Sequence, residues 1–282
     1  MALRLADVEL QLHNLHELQD IVGAMRAVAA IRVQEAQAAL DGTRAYAEVI
    51  GAAIAEALPL LPAPPRRPAA LPGAPMGTVL FMAEHGFTGA FNDQLADALG
   101  GAGERGADLF VVGGRGRALL EERGLRPAFA TDMATHVGAV TDTARRIAGA
   151  LYQRFERGRL ATVEIVFFRH QGGGRRSLER QSLLPVDLEA FGSSRAAAPP
   201  LTNLAPATLI EGLIEEYLFA ELAHAAMESF ASENGARLAT MQSARDKLDQ
   251  RLLELGALES RLRQEQITDE LLEIITGTEA VR

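Results

Sequence analysis

Two long segments without proline, one at each end of the sequence, restrict the fold more than any other feature. No proline follows Pro206. From residue 206 to 276, apolar side chains return at Leu209, Leu213, Leu222, Leu238, Met241, Ala244, Leu248, Leu252, Leu255, Leu258 and Leu262. Steps of three and four mark one face of an amphipathic helix. At 1.5 Å rise per residue a continuous helix over this stretch spans roughly 100 Å, far more than a compact domain needs. A stripe of that length needs a partner along it. Residues 2–57 supply one, with Leu5, Val8, Leu12, Leu15, Leu18, Val22, Met25 and Ala29 at a mean step of about 3.4, close to the 3.5 of a left-handed coiled coil. The spacing predicts two terminal helices wound antiparallel around an inserted globular part. Two ordinary helices of one bundle are the alternative.

The remaining composition narrows the classes. Aromatic residues make up 5% of the chain and Trp is absent, which suits Ala/Leu helix packing better than a sandwich of sheets. With no Cys, disulfides, thiolate catalysis and Cys-ligated zinc are excluded. No run approaches the roughly 18 apolar residues of a membrane span, and the acidic, amphipathic start MALRLADVELQLHNL resembles neither a secretory signal nor an Arg-rich transit peptide. The net charge of −9 is concentrated at the ends. Residues 1–57 carry eight acids and four bases, and 206–282 carry fifteen and seven. Acidic helices do not neutralise phosphates, so nucleic acid is not an expected partner. Within the last helix the signs also separate. Glu211 to Glu233 holds six acids and no base, whereas Arg237 to Arg263 holds six bases against four acids. The second segment should prefer an acidic neighbour.

Prolines crowd residues 59–75, predicting an extended linker. Beyond it, short apolar runs at 78–83, about 108–112 and ATVEIVFFRH read as strands, and SLERQSLLPVDL follows the glycine turn QGGGRR as an antiparallel partner. Helices are expected over Asn92–Leu99, over RALLEERG to Gly124, and from near Thr135 to Gly158. This alternation predicts an α/β class: a small open, Rossmann-like sheet domain inserted between the two coiled-coil helices. The predicted divisions are 1–58, 59–76, 77–192, 193–205 and 206–282.

Such a sheet raises the question of a nucleotide pocket. Gly113, Gly114 and Gly116 follow a strand and precede a helix, where backbone N–H groups could hold a phosphate. However, Leu119 stands where a dinucleotide fingerprint needs its third glycine, and no Gly-Lys-Ser/Thr occurs anywhere. A tight turn is the simpler reading. His13 and His16, near Glu9, Glu17 and Asp20, have one-turn spacing, but converging ligands from a second element are required for a metal. Asp132 with His136, and the turn GFTGAFN beside His85, offer no nucleophile. No catalytic residue, cofactor or metal is assigned.

Three ordered patches carry a resemblance to one family. GAMRAVAAIRVQEAQ (23–37) is similar to an Ala-Met-x-x-Val-Ala-Ala stretch of the gamma subunits of F-type ATP synthases, the central rotor shaft. EHGFTGAFN (84–92) resembles that family's Asp-x-Gly-Leu-x-Gly-x-Phe-Asn turn. SENGARLATMQSARDKLDQ and RQEQITDELLEIITG resemble its Ser-Glu-x-x-Ala-Arg-x-x-Ala-Met and Arg-Gln-x-x-Ile-Thr-x-Glu-Leu-x-Glu-Ile signatures.

The resemblance implies a non-catalytic shaft. It would stand within three alpha and three beta subunits, with epsilon and the membrane c-ring at the insert, peripheral to the cytoplasmic face of a bacterial plasma membrane. It also implies partner contacts at Met25 and Arg26 on the first helix. On the last helix it implies them at Arg237, Arg263, Gln264, Thr268 and Ile274. The chain departs from the family in its weakly charged first helix, its single lysine (Lys247) and its proline-rich linker. An antiparallel coiled-coil scaffold and a nucleotide-binding α/β enzyme are the rival classes.

Overall fold

A computed structural model describes residues 4–62, 75–100, 107–192 and 200–279, the side chains of Glu273, Ile274 and 276–279 excepted. Most of the proline-rich stretch (63–74) and much of the second linker (193–199) therefore lie outside the described residues. The elements in chain order are α1 (Leu5–Ala57), β1 (Met76–Phe81), α2 (Phe91–Ala98), β2 (Asp108–Val112), α3 (Gly114–Glu122), β3 (Phe129–Thr131), α4 (Val140–Glu156), β4 (Thr162–His170), β5 (Arg176–Leu184) and α5 (Pro206–Glu279). Pro206 opens α5 at the position where a missing N–H costs nothing. The chain divides into two compact units, residues 1–28 with 238–282, and residues 29–237.

In the first unit, stretches of α1 and α5 pair antiparallel. Glu9 meets Arg263, Gln19 meets Asp249 and Arg26 meets Gln242, so the numbers fall on one helix as they rise on the other. From Leu5 to Val22 the less exposed positions of α1 run Leu5, Val8, Leu12, Leu15, Gln19 and Val22, a strict alternation of three and four, and Gly23, Met25 and Arg26 beyond them are all partly buried. This corrects the stripe drawn from apolarity alone. Leu18 is 48% exposed and Gln19 takes its place, because a 3.5-residue repeat specifies position before side-chain type. The two polar rungs, seven residues apart on each helix, set the register at some cost in stability. On α5, Met241 and Leu255 are buried between them and the ends of the seam.

In the second unit five strands lie in the order β3-β2-β1-β4-β5. β1 pairs parallel with β2 and β4, β2 parallel with β3, and β5 is antiparallel to β4. β1 is covered on both faces, as expected of a central parallel strand that reads as a continuous apolar run. Val79, Phe81, Phe110, Val112, Ile165 and Phe167 face a layer built from α4, α5 and Ala36 and Leu40 of α1. Leu80, Met82, Leu109, Val111, Val166 and Phe168 face α2 and α3. β3 escaped the sequence reading because three residues at a sheet edge are too few to show alternation. The helix expected from near Thr135 begins at Val140, after a single 3₁₀ turn at Val137–Ala139.

α5 changes character inside this unit. Every residue from Ala225 to Arg237 is buried, so no amphipathic stripe exists there to be read. Buried polar residues cluster on the same stretch: Glu228, Ser229, Ser232, Glu233, Asn234 and Arg237.

Candidate functional site

Strand order reverses between β1 and β4, since the chain leaves β1 for β2 and β3 on one side and returns to β4 on the other. In open α/β sheets this switch point, at the C-terminal strand ends, is where ligands sit. Here two carboxylates of the chain itself occupy the donors. Glu84, just past β1, accepts the N–H of Gly114 at 2.9 Å and that of Met133 at 2.7 Å. The first of these is the start of α3, the anion-binding position that the glycine turn offers. Glu84 carries its own negative charge into the place a phosphate would take. Gly113 (φ +111°) and Gly116 let the turn lie against β1, where an added Cβ would come within 2.4 Å of the Met82 carbonyl oxygen and 2.1 Å of the Met82 Cβ respectively.

The second carboxylate belongs to α5. Glu233 accepts the N–H groups of Glu84 and His85 at 3.1 and 3.3 Å. One turn further on, Arg237 donates to the carbonyls of Gly86 and His85 at 3.3 and 3.4 Å, and to Glu233 at 2.6 Å. Ser229 donates to the Phe81 carbonyl and Ser232 to that of Phe168, while Glu228 accepts the His170 N–H at 2.9 Å. Among the described residues, seven hydrogen bonds thus join side chains of α5 to the backbone where β1 and β4 end. Buried Ser usually bonds back to its own helix; these reach outward instead. The loop they hold also keeps Asn92 Oδ1 on the Ala83 N–H at 2.8 Å, and it carries Phe87 at φ +62° with 63% of its surface exposed. A bulky residue in that conformation persists only where its surroundings over-determine it.

Below the clamp lies a titratable cluster. His224 and Glu228 are 3.8 Å apart, Arg44 of α1 is 3.9 Å from Glu228, and Arg169, His170 and Glu179 face the pair from β4 and β5. Burial holds the His224 imidazole down to about 4, helped by Arg44 and Arg169. Burial pushes the Glu228 carboxyl up, against the His170 N–H and the two arginines. An unfolded histidine takes its proton near 6.5, so the unfolded state binds more protons between about 4 and 6.5 and stability falls as pH drops through that window. Glu228 acts in the opposite sense, its contribution falling as pH rises from the ordinary carboxylate value toward its raised one. His224→Gln is expected to remove roughly 2 kcal/mol of the acid-side loss, read as a flatter melting temperature from pH 6.5 to 4 than wild type shows. An unchanged slope would assign the acid sensitivity elsewhere.

The residues singled out from sequence fall in different surroundings. Arg237 is 6% exposed and its guanidinium is engaged inside the chain, where the sequence reading expected it to face an acidic partner. Arg26 is half-buried, bonded to Gln242 at 3.0 Å, and its Nε finds no partner among the described residues. Met25 beside it is half-buried. Arg263 bonds Glu9 and Glu259 yet stays 57% exposed. Gln264 and Thr268 are exposed on a shallow groove along α5 with Arg261, Glu265 and Asp269. The side chain of Ile274 lies outside the described residues. His13 pairs with Glu17 and His16 donates to the Leu12 carbonyl, both exposed. Among the described residues no group of three or more His, Asp or Glu could hold a metal ion, and no helix is long and apolar enough to cross a membrane. Asp132 and His136 are exposed beyond β3. What sequence reasoning missed was this clamp of α5 side chains on the strand ends; its only signal was six polar residues, Glu228, Ser229, Ser232, Glu233, Asn234 and Arg237, within ten positions.

Comparison with known proteins agrees with this architecture. The family model described as ATP synthase matches residues 4–281. The ATP synthase gamma chain of Bdellovibrio bacteriovorus is 27% identical over 99% of both chains, and that of Rhizorhabdus wittichii is 27% identical over 97% of this chain and 98% of its own. Among solved structures, a chain of the Euglena gracilis mitochondrial ATP synthase (OSCP/F1/c-ring) superposes with a TM-score of 0.67 at 16% identity, covering 98% of this chain and 94% of its own. A chain of the Tetrahymena thermophila central stalk/c-ring assembly gives 0.56 at 16% identity, covering 79% and 99%. With a family model spanning nearly every residue, and curated gamma chains matching end to end, the chain belongs to the ATP synthase family.

Proposed function

We propose that this chain is the gamma-type rotor shaft of an ATP synthase, coupling ion-driven rotation of a membrane ring to ATP synthesis and hydrolysis in alpha and beta subunits. The observation that carries the reading is the antiparallel seam of α1 and α5. Its described inward positions end at Leu262, and α5 runs on with Ile267 (51%) and Leu271 (55%) turned outward. An apolar helix end of this kind suits a hydrophobic sleeve. A rod of two unlike helices presents a different side to each of three surrounding catalytic subunits. A third of a turn therefore changes which of them is held open, a population shift driven by unequal contacts. Torque is transmitted and no bond is broken by this chain.

Met25, Arg26, Arg263, Gln264, Thr268 and Ile274 form the proposed contact set toward the alpha and beta subunits. Arg263 retains exposed donors suited to carboxylates. The insert is assigned to epsilon and the c-ring, and the assembly to the cytoplasmic face of a bacterial plasma membrane. The test is reconstitution: the full chain should co-purify with its cognate alpha and beta subunits and restore their steady ATP hydrolysis. Tight binding of ATP by the chain alone would favour the enzyme reading instead. In the same complex Met25→Lys places a charge at the contact. It is expected to lower ion transport per ATP severalfold while the melting temperature moves by less than about 2 °C, because a half-exposed site changes stability little. A collapsed melting temperature with intact coupling would remove Met25 from the contact.

A further inference from the structure

The buried stretch of α5 packs through small and large apolar side chains, Ala225, Ala226, Ala231 and Ala236 beside Leu222, Met227 and Phe230. Apolar contact is non-directional, so this packing holds the helix against the sheet without by itself specifying which backbone atoms it meets. Against that background stand side chains at 228/229, 232/233 and 237, which recur every four residues and so line one side of the helix. They bond to backbone atoms at two separate places, residues 81–86 past β1 and residues 168–170 at the end of β4. Hydrogen bonds are directional, and two anchor points on different strands fix both rotation and axial position.

We infer that Glu233 and Arg237, with Ser229 and Ser232, key α5 rotationally to the insert, and that torque passes between sheet and helix through these bonds. The inference rests on the rotor reading above and adds the path within the chain. Glu233 holds the two N–H groups past β1 and neutralises Arg237; Arg237 holds the two carbonyls that follow. They are positioning residues for coupling. Removing one leaves the other charged and buried without its partner. Glu84 completes the key from the sheet side, since its own N–H is held by Glu233 while its carboxylate holds Gly114 and Met133.

The test uses the complete synthase in sealed vesicles reporting internal pH and internal sodium, with ATP hydrolysis measured alongside. Three chains are compared: wild type, Glu233→Gln, and Leu222→Ala, which removes apolar packing from the same helix without touching the bonds. Glu233→Gln is expected to keep ATP hydrolysis within about twofold and to lower ion uptake per ATP by about fivefold or more, since the catalytic subunits still meet a turning helix that slips against the insert. Leu222→Ala should lower the melting temperature at least as much yet keep ion uptake per ATP near wild type. The inference is overturned if Glu233→Gln keeps its uptake ratio, or if Leu222→Ala lowers the ratio equally, since either outcome makes the cluster ordinary structure. Should Glu233→Gln fail to assemble, Arg237→Lys, which cannot reach both carbonyls and the carboxylate, is judged by the same ratio. If wild type itself restores no hydrolysis to alpha and beta, the rotor reading fails and takes this inference with it, an outcome distinct from any change between variants.

Discussion

Gly113→Ala is expected to destabilise the second unit by about 4 kcal/mol or more, enough to leave much of the chain insoluble on expression. Two costs coincide at that position. The backbone has φ +111°, which a side-chain-bearing residue adopts only under strain. The new Cβ would also sit 2.4 Å from the Met82 carbonyl oxygen and 2.8 Å from that of Ala83. Both obstacles are main chain at the exit of β1, so no rotamer change relieves them. Moving the turn away would also break the bond from the Gly113 N–H to the Thr131 carbonyl and that from Gly116 to Ala83. Gly42, whose Cβ would meet nothing within 4 Å in α1, is the control: Gly42→Ala should stabilise by about 0.5–1 kcal/mol through helix propensity. Urea unfolding of both variants decides the matter. A Gly113→Ala protein within 1 kcal/mol of wild type would mean the turn is not built as described.

Glu84→Ala is the second large effect, expected at about 3 kcal/mol, because two inward-facing N–H groups lose their acceptor together. The same variant examines the anion position directly. With the carboxylate gone, the start of α3 again offers unpaired donors, and millimolar inorganic phosphate should recover part of the lost stability by mass action. Wild type, with Glu84 in place, should show no such dependence. Phosphate stabilising wild type as strongly as the variant would mean that Glu84 does not fill the site, and would reopen the nucleotide reading.

Parts of the molecule were legible because their physics is local. The helix pair announced itself through absent prolines and a repeat near 3.5. β4 did so through Val163, Ile165, Val166, Phe167 and Phe168 in one run, and the β4–β5 hairpin through its glycines. Leu18 was misplaced because a list of apolar residues cannot distinguish the inner edge of a helix from its neighbouring edge; Gln19 and Arg26 hold seam positions that polarity alone disqualifies. β3 was too short to read. Arg237 was singled out, but for the wrong surroundings. Nothing in its sequence neighbourhood distinguishes a guanidinium offered outward from one closed over Glu233.

What the order of residues determined alone was therefore the set of elements with strong periodicity, their α/β sequence and the antiparallel closure of the ends, all consequences of hydrophobic spacing along a single strand or helix. Which side chains meet was decided only in three dimensions. Glu84 reaching Gly114 and Met133, and Glu233 reaching Glu84 and His85 across 149 and 148 positions, depend on where separate strands stop. That is set by packing of the whole sheet against a helix buried on every side, and no local pattern encodes it.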